Sequence, residues 1–129
     1  MDTYKQQTVK TILYIEDDEA NYKLVERAFQ NYKHYALLAS NSAEEGLETA
    51  MAVHPDLILM DIDLPGMNGM QALAELQTKP EVSRIPVIAL SAHAMRKQID
   101  DGLKAGFKEY MTKPLDIPRL LRIIREELG

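Results

Sequence analysis

Four short groups of side chains in this sequence could do chemistry: Glu16-Asp17-Asp18, Asp61-Ile62-Asp63, Ser91-Ala92-His93 and Thr112-Lys113-Pro114. Together they offer carboxylates, a hydroxyl, an imidazole and an amine. Carboxylates held about 4 Å apart repel by roughly 1 to 4 kcal/mol per pair, for effective dielectrics between water and a protein surface, and a cation relieves that repulsion. Oxygen donors without histidine or cysteine select a hard ion. Two or three carboxylates that leave positions to water and phosphate favour Mg²⁺ over Ca²⁺, which takes a fuller cage. With Glu16, Asp17 and Asp61 as three negative charges and Lys113 plus Mg²⁺ as three positive ones, such a site nears neutrality before any phosphoryl donor arrives. Phosphoryl transfer is catalysed mainly by positioning and charge neutralisation. An aspartate beside Mg²⁺, with an ammonium to hold phosphoryl oxygens, is therefore a sufficient acceptor.

For these groups to meet, the chain must bring four distant segments to one place. Strand-length apolar runs occur at 11–15 (TILYI), 35–39 (YALLA), 56–60 (DLILM), 86–90 (PVIAL) and 107–111 (FKEYM). Each is followed by a stretch with helical spacing, which predicts helices over 18–31, 42–52, 68–77, 94–104 and 116–128. The runs at 11–15, 56–60 and 86–90 are apolar at nearly every position, as strands covered on both faces must be, so the reading is an α/β domain with a buried parallel sheet. Ser42 three residues before Glu45 predicts a capping box, and Asp116 with Pro118 marks the start of the last helix. Gly102 and Gly106 fall where the fourth helix is expected to stop and turn. In an open parallel sheet, ligands bind outside the carboxyl ends of the strands. The four reactive groups each follow the first, third, fourth or fifth strand, and only the second strand, before Ser40-Asn41, is followed by nothing charged.

Composition narrows the class of function. At 129 residues the chain fits one domain. The expected division is a short lead-in at 1–9 and the domain at 10–129. The absence of cysteine removes disulfides, thiolate metal sites and cysteine nucleophiles. No apolar stretch reaches membrane-spanning length, and the polar start MDTYKQQTVK lacks the apolar core of a secretory signal, so a cytoplasmic protein is expected. A formal charge of -5 without a basic face argues against direct nucleic-acid binding. His34, His54 and His93 lack mutual ligand spacing, and Met60, Met67 and Met70 read as core or loop fillers.

The segments ILYIEDD, LILMDIDLPGMNG, VIALSAHA and YMTKPLD resemble, in the same order and at comparable spacing, the signature segments of bacterial response-regulator receiver domains. The resemblance covers about residues 10–127. It implies a CheY-like, flavodoxin-like fold: a five-stranded parallel sheet of order 2-1-3-4-5 with helices on both faces. It further implies Asp61 as phosphoacceptor and metal ligand, Asp17 as direct ligand, Glu16 acting through a metal-bound water, and the backbone carbonyl of Asp63 completing the Mg²⁺ shell. Lys113 would contact the phosphoryl group and precede a cis bond to Pro114, while Ser91 and Tyr110 would be the switch pair. The implied protein is not an enzyme acting on a separate substrate but a phosphoacceptor that promotes its own phosphorylation and slow dephosphorylation. Its donor would be a sensor histidine kinase or a histidine phosphotransfer protein, and a downstream protein would read the face built from 94–128. Two positions depart from the common pattern. Asp63 stands where family members often carry an uncharged residue, and His93 follows two residues after Ser91; both flank the phosphoryl group.

Each motif alone has an ordinary explanation. Glu16-Asp17-Asp18 suits a helix N-terminus, Asp61-Ile62-Asp63 before Leu-Pro-Gly suits a turn, Ser91 suits a cap and Lys113 a solvated surface. Their shared position at strand ends sets the joint pattern apart. A haloacid dehalogenase-type Mg²⁺ phosphohydrolase also uses an Asp-x-Asp pair, but after its first strand and with a cap this chain has no room for. A receiver scaffold that is never phosphorylated is the other alternative.

Overall fold

The computed structural model describes residues 8–129, so most of the expected lead-in lies outside the described residues. Ten elements alternate: β1 (Lys10–Ile15), α1 (Glu19–Phe29), β2 (Tyr35–Ser40), α2 (Ala43–Val53), β3 (Leu57–Asp61), α3 (Gly69–Gln77), β4 (Val87–Ser91), α4 (Arg96–Ala105), β5 (Glu109–Thr112) and α5 (Ile117–Leu128). The strands form one parallel sheet in the order β2-β1-β3-β4-β5.

The pleat of the strands sorts the core into two layers. Ile12 and Tyr14 of β1, Leu57 and Leu59 of β3, Ile88 and Leu90 of β4 and Met111 of β5 pack against Val25 and Phe29 of α1 and Leu120, Ile123 and Ile124 of α5. The alternate residues, Leu13, Ile15, Ile58, Met60, Val87, Ala89 and Tyr110, face Ala43 and Ala50 of α2 and Ala72, Leu73 and Leu76 of α3, with Ile99 of α4 at the margin. Burying each large apolar side chain contributes about 1.5–3 kcal/mol, so the sheet is fixed from both sides. None of the helices among the described residues is long and apolar enough to cross a membrane.

Element ends depart from the sequence reading where a cap decides them. Asp18, Ser42, Asn68 and Asp116 lie just outside their helices, each accepting a hydrogen bond from a first-turn amide. Ser42 accepts from the Glu45 amide, but Glu45 answers to the Asn41 amide rather than that of Ser42; the reciprocal box forms instead at Asn68 and Gln71. Helix α4 starts two residues later than expected, at Arg96, with Met95 at its cap position making no side-chain capping bond. Gly106, at φ +123°, ends α4, whereas Gly102 lies inside it, where an added Cβ would stand 2.9 Å from the Tyr110 ring. Phe107, expected in the last strand, instead turns into the core, and its amide donates to the Gly102 carbonyl. The last strand is correspondingly shorter and later.

Candidate phosphoacceptor site

The chain order reverses between β1 and β3: it leaves β1 for the edge strand β2, then crosses back to β3 on the other side. A crevice opens at that point beyond the strand ends, and the acids flank it. Glu16 and Asp17 directly follow β1, while Asp61 is the last residue of β3. Carboxylate oxygens of Glu16, Asp17 and Asp61 all lie within 4.8 Å of one another. Glu16 and Asp61 are buried and Asp17 is exposed, so the cluster is open on one side.

Strand parity explains which side chains converge. Glu16 continues the row of Ile12 and Tyr14, Asp61 that of Leu57 and Leu59, and Lys113 that of Met111. The Lys113 ammonium donates to Glu16 Oε1 at 3.0 Å and to Asp61 Oδ2 at 3.1 Å. The Tyr14 hydroxyl donates to the same Glu16 oxygen at 3.0 Å, and the Asp18 amide donates to Glu16 Oε2. The Asp63 amide donates to Asp61 Oδ1 at 2.8 Å. The Lys113–Pro114 peptide is cis.

These surroundings set the charges. Burial pushes the Asp61 carboxyl up to about 6; the Asp63 amide and the Lys113 ammonium pull it back, and the neighbouring Glu16 pushes it further up. At neutral pH most of it is still ionised and so nucleophilic. Burial works against the charge of Lys113, but its bonds to Glu16 and its attraction to Asp61 outweigh that and raise it above the ordinary lysine value. Burial, then the charge and hydrogen bond of Glu16, hold the Tyr14 phenol protonated far beyond its usual range, so it remains a donor.

Ser91 and Tyr110 come from the opposite parity, in the rows of Val87 and Ala89 and of the α3-facing layer. The Ser91 hydroxyl donates to Asp63 Oδ2 at 3.1 Å rather than to any group of the acidic cluster. The Tyr110 ring is buried, and its hydroxyl donates to the His93 carbonyl at 3.0 Å. The structure thus gathers Glu16, Asp17, Asp61 and Lys113 into one cluster and sets Ser91, Asp63, His93 and Tyr110 into a second, joined to the first through residues 61–63. Tyr14 went unnoticed in the sequence. Its signal was the period-two spacing to Glu16, which puts both side chains on one face of β1.

The family model of the response regulator receiver domain matches residues 12–125. This chain belongs to the response-regulator receiver family. The polar-differentiation response regulator DivK of Brucella ovis is 37% identical over 120 residues, spanning 93% of this chain and 97% of that one. The receiver domain of a sensor histidine kinase from Pseudomonas aeruginosa, solved with a magnesium ion coordinated in its active site cleft, is 29% identical at a TM-score of 0.85, covering 95% of this chain and 99% of its own. The chemotaxis protein CheY4 of Vibrio cholerae, 19% identical, superposes at a TM-score of 0.85 over 94% of this chain and 100% of its own, and shares the fold. The chain is thus a receiver of two-component signalling, and the strand order expected from the resemblance is the one observed. The hydrolase alternative is disfavoured: the Asp-x-Asp pair follows β3, not β1. The acidic cluster of this receiver fits a divalent ion, because its oxygen donors converge from two strand ends and one side stays open to water and phosphate.

Proposed function

We propose that this receiver takes a phosphoryl group onto Asp61 from a phosphohistidine of a sensor kinase or a histidine phosphotransfer protein in the cytoplasm, and passes the change to a downstream protein. The observation that carries the reading is the Lys113 ammonium bridging Glu16 and Asp61 at 3.0 and 3.1 Å, in a cluster of three carboxylates within 4.8 Å of one another. Asp17 and Asp61 would hold Mg²⁺ directly, the Asp63 carbonyl would complete its shell, and Glu16 would act through a bound water. Magnesium, when bound, supplies positive charge that offsets the acids and steadies phosphoryl oxygens.

An ionised Asp61 oxygen attacks phosphorus; the bond from phosphorus to the donor imidazole nitrogen breaks, its electron pair stays on nitrogen, and the imidazole takes a proton from solvent. The product is an acyl phosphate. Lys113 would hold one of its oxygens, exchanging a carboxylate contact for a phosphoryl contact. Water later cleaves the anhydride to inorganic phosphate and restores Asp61. Ser91 would respond to the new anion and Tyr110 to the loop between them, altering the face built from 94–128, and a partner that prefers one state by about 1.4 kcal/mol would read a tenfold shift. The working unit in this reading is residues 10–129.

Incubation with acetyl phosphate and Mg²⁺ tests the proposal. One acyl phosphate per chain is expected. Rapid turnover of many phosphate esters would indicate a hydrolase instead, and no incorporation would indicate a scaffold.

A further inference from the structure

The loop between β4 and α4, residues 92–95, is tied down from two sides. From one side, the Asp63 carboxylate takes three contacts: Oδ2 accepts from the Ser91 hydroxyl and from the Ala92 amide, both at 3.1 Å, and Oδ1 lies 3.5 Å from His93 Nε2. From the other side, the buried Tyr110 hydroxyl donates to the His93 carbonyl at 3.0 Å. The Ser91 oxygen, anchored by its own bond to Asp63, in turn accepts from the His93 amide at 3.0 Å. Beneath the loop lies a cleft of about 220 Å³ lined by Asp63, Ser91, His93, Met70 and Tyr110 among others.

A carboxylate accepting from one hydroxyl and one amide offers what a phosphoryl group would offer: anionic oxygens within hydrogen-bond reach. Asp63 also lies two residues beyond Asp61 and gives its own amide to the Asp61 carboxylate. The two acceptors that compete for Ser91 are therefore held on one short turn. We propose that the Asp63 side chain is a positioning residue that holds Ser91 and the 92–95 loop in place while Asp61 is unmodified. Phosphorylation then draws the Ser91 hydroxyl from the Asp63 carboxylate to the phosphoryl group and shifts the loop with it. The inference rests on the reading of Ser91 as the group that responds to a phosphoryl on Asp61. It adds that an acid two residues beyond Asp61 holds the responding hydroxyl before the phosphoryl group takes it.

Hydrogen exchange at the His93 amide tests this, because that amide is protected only while the Ser91 oxygen is held. The full chain is measured with and without Mg²⁺ and beryllofluoride, a mimic of the phosphoryl group, as wild type, Asp63→Asn and Asp63→Ala. All three keep the backbone carbonyl assigned to the metal. In unmodified protein, Asp63→Ala should exchange about tenfold faster than wild type or more, the scale of one charge-assisted hydrogen bond. Asp63→Asn, which retains an acceptor oxygen, should fall between them. With beryllofluoride bound, all three should converge. Equal rates in unmodified wild type and Asp63→Ala would overturn the proposal. So would an acceleration of the same size in both states, the mark of a bare structural role. Failure of beryllofluoride to bind wild type, read by ¹⁹F resonance, would instead remove the phosphoryl reading and leave the loop contact to be judged on the unmodified pair.

Discussion

Lys113 sets the charge balance of the acidic cluster, and its role separates two effects that a salt bridge usually confounds. Its ammonium touches the carboxylates of both Glu16 and Asp61. Removing it leaves the acids without their built-in cation, so a divalent ion gains by contrast while the incoming phosphoryl group loses a donor. Lys113→Ala should slow acyl-phosphate formation by about tenfold or more, on the order of 1.4 kcal/mol of lost transition-state stabilisation, with Mg²⁺ affinity unchanged or raised. Parallel labelling and metal titration check this; weakened metal binding with normal labelling would reverse the assignment. Asp61 carries a second consequence. Its carboxyl is held up to about 6 in the folded protein, above its ordinary value of 3.8. Between those values the folded state binds more protons than the unfolded one. The associated stability is present in full below 3.8 and lost as pH rises through about 6. Denaturation with chelator across that window should show wild type losing stability relative to Asp61→Asn as pH rises; a constant difference would contradict it.

Between β3 and α3 the spacing is set by Gly69, the first residue of the helix. An added Cβ there would stand 2.7 Å from the Ile62 Cα and 2.8 Å from the Asp61 carbonyl oxygen. Both are backbone atoms and cannot rotate away. Gly69→Ala should therefore cost about 1–3 kcal/mol, the usual scale of overpacking, and displace the turn that carries Asp61 and Asp63. A denaturant midpoint unchanged from wild type would show the turn to be more compliant than its geometry suggests. At this scale the sequence was most readable for the strands. Runs such as LILM are apolar because both faces are covered, and the residue that ends each run is thereby placed at the sheet rim. Where capping side chains exist the helix ends were also close to readable, as at Asp116. They were misread at Met95, which has none, and at Phe107, whose apolar side chain serves the end of α4 rather than a strand. Gly102 looked like a terminator, yet its role is to make room for the Tyr110 ring. That depends on a packing partner from another element, which local spacing does not encode.

Across the whole molecule, the parallel order β2-β1-β3-β4-β5 explains how groups nearly 100 residues apart come together, Lys113 and Glu16 being separated by 97 positions. The convergence of acids and lysine could be inferred from the sequence because each ends a strand. The direction of the Asp63 side chain could not, because it depends on turn conformation. The central claim is that this convergence makes Asp61, and no other acid of the cluster, the acceptor. Borohydride reduction of protein treated with acetyl phosphate and Mg²⁺ tests it most directly, since it converts an aspartyl phosphate to homoserine at the modified position. Peptide mass analysis should find homoserine at residue 61 in wild type and none in Asp61→Asn. Reduction at Asp17 or Asp63, or persistence of the product in the Asn variant, would contradict the account.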